Sequence, residues 1–423
     1  MTAEIVSVGT ELLMGQIADT NAQALGKLLP ELGIGHHHRQ TVGDNLGRLA
    51  DALRLALSRS DVVFTIGGLG PTEDDLTRDG IAAALGVALV HDPAIEEGIR
   101  AIFADRRLTW TDSQRRQSMR PACAEVIANP NGTAPGLFCQ LGGKIVIAMP
   151  GPKGEFVPML DLVRARLGPL SGGGVIHSRI LRVVGIGESG VEERIRELLH
   201  GTNPSVAPYA KLGEVHLRLT ARAATTKEAD ALIDPLDAQI RLALGDAVFG
   251  TNEQSLEEVV LSMLRSRGQT LTVAESCTGG ALGARLTSVP GSSDVFLGGV
   301  ISYSNSLKHG LLGVPREVLD GLGAVSEECA MAMAAGARAL PLRVPAGEAG
   351  TEGSQADWSV SITGIAGPGG GTEARPVGLV YIAIASPSGA KAYEFHFRGT
   401  REDIRRRSTQ TALTLLRRAL LKG

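Results

Sequence analysis

Short apolar runs alternate with stretches of helical period along the first third of the chain. Residues 4–8 read as a buried strand, as do residues 61–66 (DVVFTI) and 144–149 (KIVIAM). Between them, residues 19–32 and 76–85 repeat their apolar positions with helical spacing. Asp19 or Thr20 is placed to cap the first of these helices, and Asp44 to cap another running through Ser58. Strands that alternate with helices predict a mostly parallel sheet covered on both faces. The pattern closes near Leu167, which sets a first domain at residues 1–168.

The run GPLSGGGV then reads as a linker. Residues 178–185 (SRILRVVG) alternate like an edge strand, residues 214–222 (EVHLRLTAR) alternate cleanly, and 188–199 and 227–244 are helical in period. They predict a small α+β domain over residues 175–250. A third unit, residues 254–423, opens with a helix at 255–267 and a strand at 270–274 that runs into ESCTGG and a helix to Leu286. Strands at 294–303, 357–363, 378–385 and 390–397, a helix at 327–340 and an amphipathic helix at 401–421 complete it. Residues 342–357 (LRVPAGEAGTEGSQAD) have the composition of a solvent loop inserted before a strand. No internal repeat is seen, and the fold class is α/β.

Composition changes the picture in one respect. Glycine accounts for 54 of 423 residues, about 13% against a usual ~7%. In an α/β protein such glycine serves tight turns where backbone approaches a ligand. The other counts exclude classes. Lys plus Arg is 42 and Asp plus Glu is 45, a net charge of −3, so nothing draws the chain to nucleic acid or anionic lipid. Cys123, Cys139, Cys277 and Cys329 form no CxxC pair, which supports neither a zinc cluster nor a disulfide framework. The N-terminal MTAEIVSVGTELLMG has too short an apolar run for a signal peptide, and no run of about 18 apolar residues suggests a membrane span. A soluble cytoplasmic protein is expected. His36, His37 and His38 fall on a predicted strand, where neighbours face opposite sides and cannot share one metal.

Three stretches of the third unit carry candidate chemistry. In TVAESCTGG a strand delivers Ser276, Cys277 and Thr278 to a helix start, where free N–H groups and the positive dipole end gather. Gly279 lets a ligand approach the backbone. Such a turn suits a nucleophile, an oxyanion pocket or a phosphate, and equally a hydroxyl that only caps the helix. SYSNSLK ends an apolar strand and brings Lys308. A partly desolvated lysine can serve as a base, and a Ser–Lys pair needs no histidine; a surface lysine is the plain alternative. SITGIAGPGGG follows a buried strand and offers Thr363 and main-chain N–H groups. All three fit one crevice at the carboxyl edge of a sheet.

The motifs AESCTGG, YSN-x-x-K, GAVSEE and TGIAGPGGG, in this order, closely resemble the C-terminal domain of the CinA family. The resemblance implies a nicotinamide-nucleotide amidohydrolase that releases ammonia from nicotinamide mononucleotide without a cofactor. It implies Ser276 as nucleophile and Lys308 as its base, with Cys277, Thr278, Gly279, Tyr303, Asn305, Thr363, Gly364 and Gly367 around the substrate. FRGTREDIRRR matches the family's closing motif. Arg401 and Arg405 share a helix face, and one of them is expected to meet the substrate phosphate.

VGTELLMGQIADTN, TVGDN, TIGGLGPTEDDLT and MPGPKGEF resemble the CinA N-terminal domain, which shares a three-layer fold with the molybdopterin-binding MoaB and MogA proteins. This resemblance implies a metal-dependent pyrophosphatase acting on ADP-ribose, in which GGLG offers backbone donors to a pyrophosphate. Nucleotide contacts fall to Thr10, Glu11, Asn21, Gly67, Gly68, Gly70, Thr72, Asp74 and Glu155, and Asp44 and Asp75 hold Mg2+, Mn2+ or Co2+. The acidic run Glu73, Asp74 and Asp75 reads equally as a cap on the following helix. A homodimer is also implied. Lys153 departs from the family's MPGPPxE, which loosens the loop beside Glu155. A second reading is a non-catalytic sensor or partner protein, linked to competence or DNA damage, that binds a nucleotide or molybdopterin without turnover.

Overall fold

Parallel strands buried on both faces organise the two ends of the chain. The structure is a computed structural model and describes residues 1–340 and 355–422. The expected solvent loop at 342–357 falls, but for its last three residues, outside the described residues. The chain divides into two compact units, Met1–Ser178 with Thr220–Asp234, and Arg179–Leu219 with Pro235–Gly423.

The first unit contains β1 (Thr2–Val8), α1 (Thr10–Leu13), α2 (Thr20–Glu31), β2 (Gly35–Val42), α3 (Leu46–Arg59), β3 (Val62–Ile66), α4 (Thr77–Leu85), β4 (Leu89–His91), α5 (Pro93–Asp105), β5 (Met119–Pro121), β6 (Ala124–Ile127), β7 (Gly136–Leu141), β8 (Lys144–Met149) and α6 (Lys153–Leu167). Its main sheet has the order β2-β1-β3-β8-β7-β6. The first four strands are parallel and the last two antiparallel. Successive residues of each central strand serve opposite faces. Ile5, Phe64 and Ile147 pack with α2 and α6, while Val6, Val63 and Val146 pack with α3. That is why these strands read as continuous apolar runs. Asp19 caps α2 through the Ala22 amide at 2.9 Å. Asn45, not Asp44, caps α3, accepting the Arg48 amide at 3.1 Å. It stands one residue nearer the helix and leaves Asp44 free for another task.

The middle of the chain forms β9 (Val175–Val184), α7 (Glu188–Arg194), β10 (Ser205–Lys211), β11 (Glu214–Ala223), α8 (Thr226–Leu244) and β12 (Val248–Thr251). The strand order is β10-β11-β9-β12, so β9 is interior rather than an edge. Its second neighbour is the four-residue β12, hidden in a segment that reads as a bridge between domains. The helix expected at 188–199 ends at Arg194 and gives way to a 3-10 turn, Arg196–His200.

The last segment contains α9 (Leu256–Ser266), β13 (Leu271–Glu275), α10 (Ala281–Thr287), β14 (Phe296–Ile301), α11 (Asn305–Leu312), α12 (Glu327–Arg338), β15 (Trp358–Gly364), β16 (Leu379–Ser386), β17 (Gly389–His396) and α13 (Arg401–Lys422). The sheet order is β14-β13-β15-β16-β17. β13 runs parallel to β14 and β15, and β15 to β17 are antiparallel. Val273, Val360 and Ile382 pack with α9 and α13 on one face. Ala274 packs with α11 and α12 on the other. This is a three-layer α/β domain. Among the described residues no helix is long and apolar enough to cross a membrane.

Candidate functional site

In the C-terminal sheet, Glu275 pairs with Ile301 on one side and Ile362 on the other. Three parallel strands therefore end in line, and the segments leaving them build one pocket of about 280 Å³. Ser276 follows β13 directly, its amide held by the Ile362 carbonyl at 2.9 Å. Beyond β14 the chain turns into α11, whose N-cap Ser304 accepts the Leu307 amide at 3.2 Å. Lys308 thus sits one turn into a helix instead of on a strand tail. It is only 1% exposed, yet no carboxylate lies within ion-pair distance of it among the described residues. Its Nζ is 2.9 Å from Ser276 Oγ, 2.7 Å from the Ser302 carbonyl and 3.5 Å from the Tyr303 carbonyl.

Burial pushes the Lys308 pKa below the usual lysine range. The neighbouring thiols of Cys277 and Cys329 are themselves pushed up to about 11 by burial, so at neutral pH they supply no counter-charge. A neutral amine has two N–H groups and one lone pair. Once neutral, Lys308 can give its N–H groups to the two carbonyls, which only accept, and turn its lone pair to the Ser276 hydroxyl.

The Gly-rich turn differs from its simplest reading. The buried Glu275 carboxylate accepts the amides of Gly280 (3.1 Å), Leu282 (3.1 Å) and Gly283 (2.8 Å). The first donors of α10 are therefore spent within the protein. Free donors remain elsewhere: among the described residues the amides of Cys277, Thr278, Ala366, Gly367 and Gly369 meet no backbone acceptor.

Ser276, Cys277, Tyr303, Lys308, Thr363, Gly364, Gly367 and Arg401 line the pocket. Thr363 Oγ1 donates to the Ala324 carbonyl at 2.6 Å. Arg401 donates to the Gly367 carbonyl at 2.7 Å and to the Tyr303 hydroxyl at 3.3 Å. Thr278, Gly279, Asn305 and Arg405 are not brought to it. Thr278 is fully buried behind the turn, Asn305 is an exposed first residue of α11, and Arg405 donates to the Thr278 carbonyl at 2.8 Å. Of the two arginines on one helix face, Arg401 is the one that faces the pocket.

The N-terminal sheet repeats the device. The segments after β1, β2, β3 and β8 surround a pocket of about 780 Å³, lined by Glu11, Asn21, Asp44, Gly67, Gly68, Gly70, Thr72, Asp74, Asp75 and Glu155. Four successive loop carbonyls are tied from behind by α4. Gly67 O accepts Thr77 Oγ1 at 2.7 Å and Gly68 O accepts the Thr77 amide at 3.1 Å. The Leu69 and Gly70 carbonyls accept the two terminal nitrogens of Arg78. Gly67 and Gly68 have φ of 98° and 65°, a region that suits glycine. Among the described residues the amides of Gly68, Leu69 and Gly70 meet no backbone acceptor, which leaves an anion cradle. Arg78 is 1% exposed and has no carboxylate within ion-pair distance among the described residues. Burial lowers its pKa to about 10, so it still carries a positive charge beneath the cradle at neutral pH.

Thr10 stands behind the pocket wall, donating from its amide and hydroxyl to Asp44 Oδ2 at 3.0 and 2.7 Å. Asp75 Oδ2 accepts from the Thr72 amide at 2.8 Å and hydroxyl at 2.5 Å. Each aspartate keeps its other oxygen uncommitted. Among the described residues there is no cluster of three or more His, Cys, Asp or Glu able to hold a metal. Two carboxylate oxygens fit a hard ion that completes its shell from water and ligand phosphate, as Mg2+ does, and do not fit a closed protein cage. Glu155 Oε2 accepts Asn129 Nδ2 at 2.6 Å, and Asn21 donates to the Gly151 carbonyl at 2.6 Å. Lys153 is the first residue of α6 after the N-cap Pro152, so the departure from the family's proline falls in a helical turn rather than a loop. The motifs give Glu275, Thr77 and Arg78 no role of their own, because a strand-end glutamate and a Thr-Arg pair after an acidic run look like solvated residues.

Fold and geometry together define a chain with two three-layer α/β domains, each with a pocket at the carboxyl edge of its parallel strands. Residues 253–420 match the CinA C-terminal domain, residues 4–168 the "Probable molybdopterin binding domain" family, and residues 178–250 the damage-inducible protein CinA KH domain. A protein of Moorella thermoacetica is 49% identical over 422 residues, with 99% of each chain covered. A CinA-like protein of Dictyoglomus thermophilum is 46% identical over 423 residues, with both chains fully covered. The crystal structure of a CinA protein from Thermoplasma acidophilum is 35% identical with a TM-score of 0.38, covering 40% of this chain and 99% of that one. The chain belongs to the CinA family.

Proposed function

We propose that the C-terminal pocket hydrolyses the carboxamide of nicotinamide mononucleotide to a carboxylate and ammonia. The observation that carries this reading is the buried Lys308 Nζ, 2.9 Å from Ser276 Oγ and without a counter-ion among the described residues. Lys308 takes the Ser276 proton as Oγ attacks the carboxamide carbon. Amides of the Ser276 turn and of the Gly367 loop stabilise the oxyanion. The proton passes from Lys308 to the departing nitrogen, ammonia leaves, and water releases nicotinate mononucleotide from the acyl-enzyme. Arg401 binds the substrate phosphate. Arg401→Ala is expected to raise KM for the nucleotide about 10–100-fold, the size of one lost charge-assisted contact, with a smaller change in kcat. Arg405→Ala is expected to leave KM within a few-fold, and steady-state kinetics on both variants check this.

The N-terminal pocket, on the same proposal, binds and hydrolyses the pyrophosphate of ADP-ribose. The Gly68–Gly70 amides and the charge of Arg78 receive the anion, and Asp44 and Asp75 would hold a divalent ion. When bound, that ion polarises the phosphoryl oxygen and supplies a nucleophile. The middle segment is given no nucleic-acid role. A KH fold clamps nucleic-acid backbone through a GXXG loop. Here the one such run in the matched segment, residues 187–190 (GESG), is built into the start of α7.

The test is paired turnover on the intact chain. Ammonia release from nicotinamide mononucleotide should proceed unchanged in EDTA, whereas ADP-ribose hydrolysis should stop and return with Mg2+. Tight binding of either nucleotide with no turnover would favour the sensor reading instead.

A further inference from the structure

The N-terminal pocket contains a polar side chain that none of the motifs includes. Gln117 lies in a short 3-10 segment, Asp112–Ser118, and is 2% exposed. The segment is fastened on both sides of it. Arg116 Nη2 lies 3.0 Å from an Asp79 oxygen on α4, Ser118 Oγ donates to the Arg115 carbonyl at 2.6 Å, and the Ser118 carbonyl accepts the Asp92 amide at 2.9 Å. Gln117 lines the same pocket as the cradle and Asp75. Its carboxamide oxygen is shielded from water and has no hydrogen-bond partner. Among the described residues, nothing meets its amide nitrogen either. Buried polar groups in native folds have partners, and an idle one costs stability. A firmly mounted carboxamide left idle on the wall of a pocket is available to a ligand.

The kind of group follows from the amide itself. Phosphate oxygens only accept, and the cradle amides and Arg78 already serve them. A carboxamide offers one acceptor and two donors, and a hydroxyl answers both. In a nucleotide the hydroxyl-bearing group next to the pyrophosphate is the sugar. We propose that Gln117 hydrogen-bonds a sugar hydroxyl of the bound ligand, so that the pocket selects ribosyl pyrophosphates over bare pyrophosphate. This rests on the pyrophosphatase reading of the pocket.

The experiment is calorimetric titration of the full chain in EDTA, so that no hydrolysis intervenes, with ADP-ribose, IDP-ribose and inorganic pyrophosphate. Gln117→Met keeps the side chain's length and removes its polar end. It should weaken ADP-ribose and IDP-ribose binding alike, by about tenfold or more, and leave pyrophosphate unchanged. The apo Tm should stay level or rise, because an idle buried oxygen has been removed. Unchanged ADP-ribose affinity, or an equal loss on pyrophosphate, overturns the inference. So does a wild-type preference for ADP-ribose over IDP-ribose that disappears in the variant, which would place the amide on the base. A lower Tm in both Gln117→Met and Gln117→Leu would mark a structural side chain and also overturn it. Wild-type protein that binds pyrophosphate but not ADP-ribose defeats the pyrophosphatase reading itself. Wild-type protein that binds ADP-ribose, with Gln117→Met unaffected, defeats only the assignment of Gln117.

Discussion

Lys308→Met is expected to lower turnover of nicotinamide mononucleotide on the order of 10⁴-fold while leaving the protein at least as stable at pH 7. The rate loss follows from the geometry. With Nζ gone, no other side chain among the described residues hydrogen-bonds Ser276 Oγ to take its proton. Ser276→Ala should lose a similar factor, and the double variant little more, because the two side chains act as one unit. The stability effect has a sign that can be worked out. Burial holds the Lys308 pKa in the folded protein below the usual 10.5. Between the folded value and 10.5 the unfolded chain binds more protons, so this lysine's cost to stability shrinks as pH rises through that window. Below the folded pKa the cost is present in full. Methionine removes it, so the gain in Tm should be largest below the folded pKa and vanish above about 10.5. The same titration should appear in the wild-type rate: kcat/KM rises as pH approaches the Lys308 pKa from below. A profile with no titration anywhere below about pH 10.5, or a variant that still turns over, removes Lys308 as the base.

The parts of this arrangement that were legible in the sequence share a cause. Strands β3, β8 and β13 are buried on both faces, so each appears as an apolar run that stops at a Gly-rich turn. Ser276 and the GGLG loop stand at those stops, and the strand pattern alone places them at a sheet edge. Lys308 shows the limit. Its chemistry was readable, but its helix was not, because α11 is eight residues long and only residues 302–304 separate it from an apolar strand. The short β12 was lost in the same way. Arg78, Glu275 and Gln117 left still less trace. Arg78 is held by main-chain carbonyls and Glu275 by main-chain amides, which every chain possesses, so no partner residue marks them. Gln117 has no side-chain hydrogen-bond partner among the described residues. Capping was misassigned where two good capping residues, Asp44 and Asn45, stand side by side, and only the fold decides which is one residue closer to the helix.

Glu275 carries the second large effect. The last residue of β13, immediately before Ser276, it is 1% exposed, and its carboxylate collects three amides at the start of α10. A carboxylate at that place satisfies the orphan donors of the helix and its dipole together. Glu275→Gln keeps the shape but replaces one acceptor oxygen by an NH2 group, which then faces amides that also donate. The lost charge-assisted bonds and the stranded donors should cost about 2–4 kcal/mol. In a domain of this size that corresponds to a fall of roughly 4–16 °C in the melting of the C-terminal part of the chain. Because the turn that carries Ser276 is fastened by these bonds, kcat should fall as well. Lys308 is positioned from α11, so the pH at which the remaining rate titrates should not move. Glu275→Asp, with a shorter reach, should land between the two. A Glu275→Gln protein with wild-type Tm would mean that the three amides find other acceptors, and Glu275 would then be no more than a buried strand end. A shifted pH profile with Tm unchanged would instead make it an electrostatic partner of Lys308. A lower Tm, a lower kcat and an unmoved profile identify the carboxylate as the clamp that holds the nucleophile's turn in place.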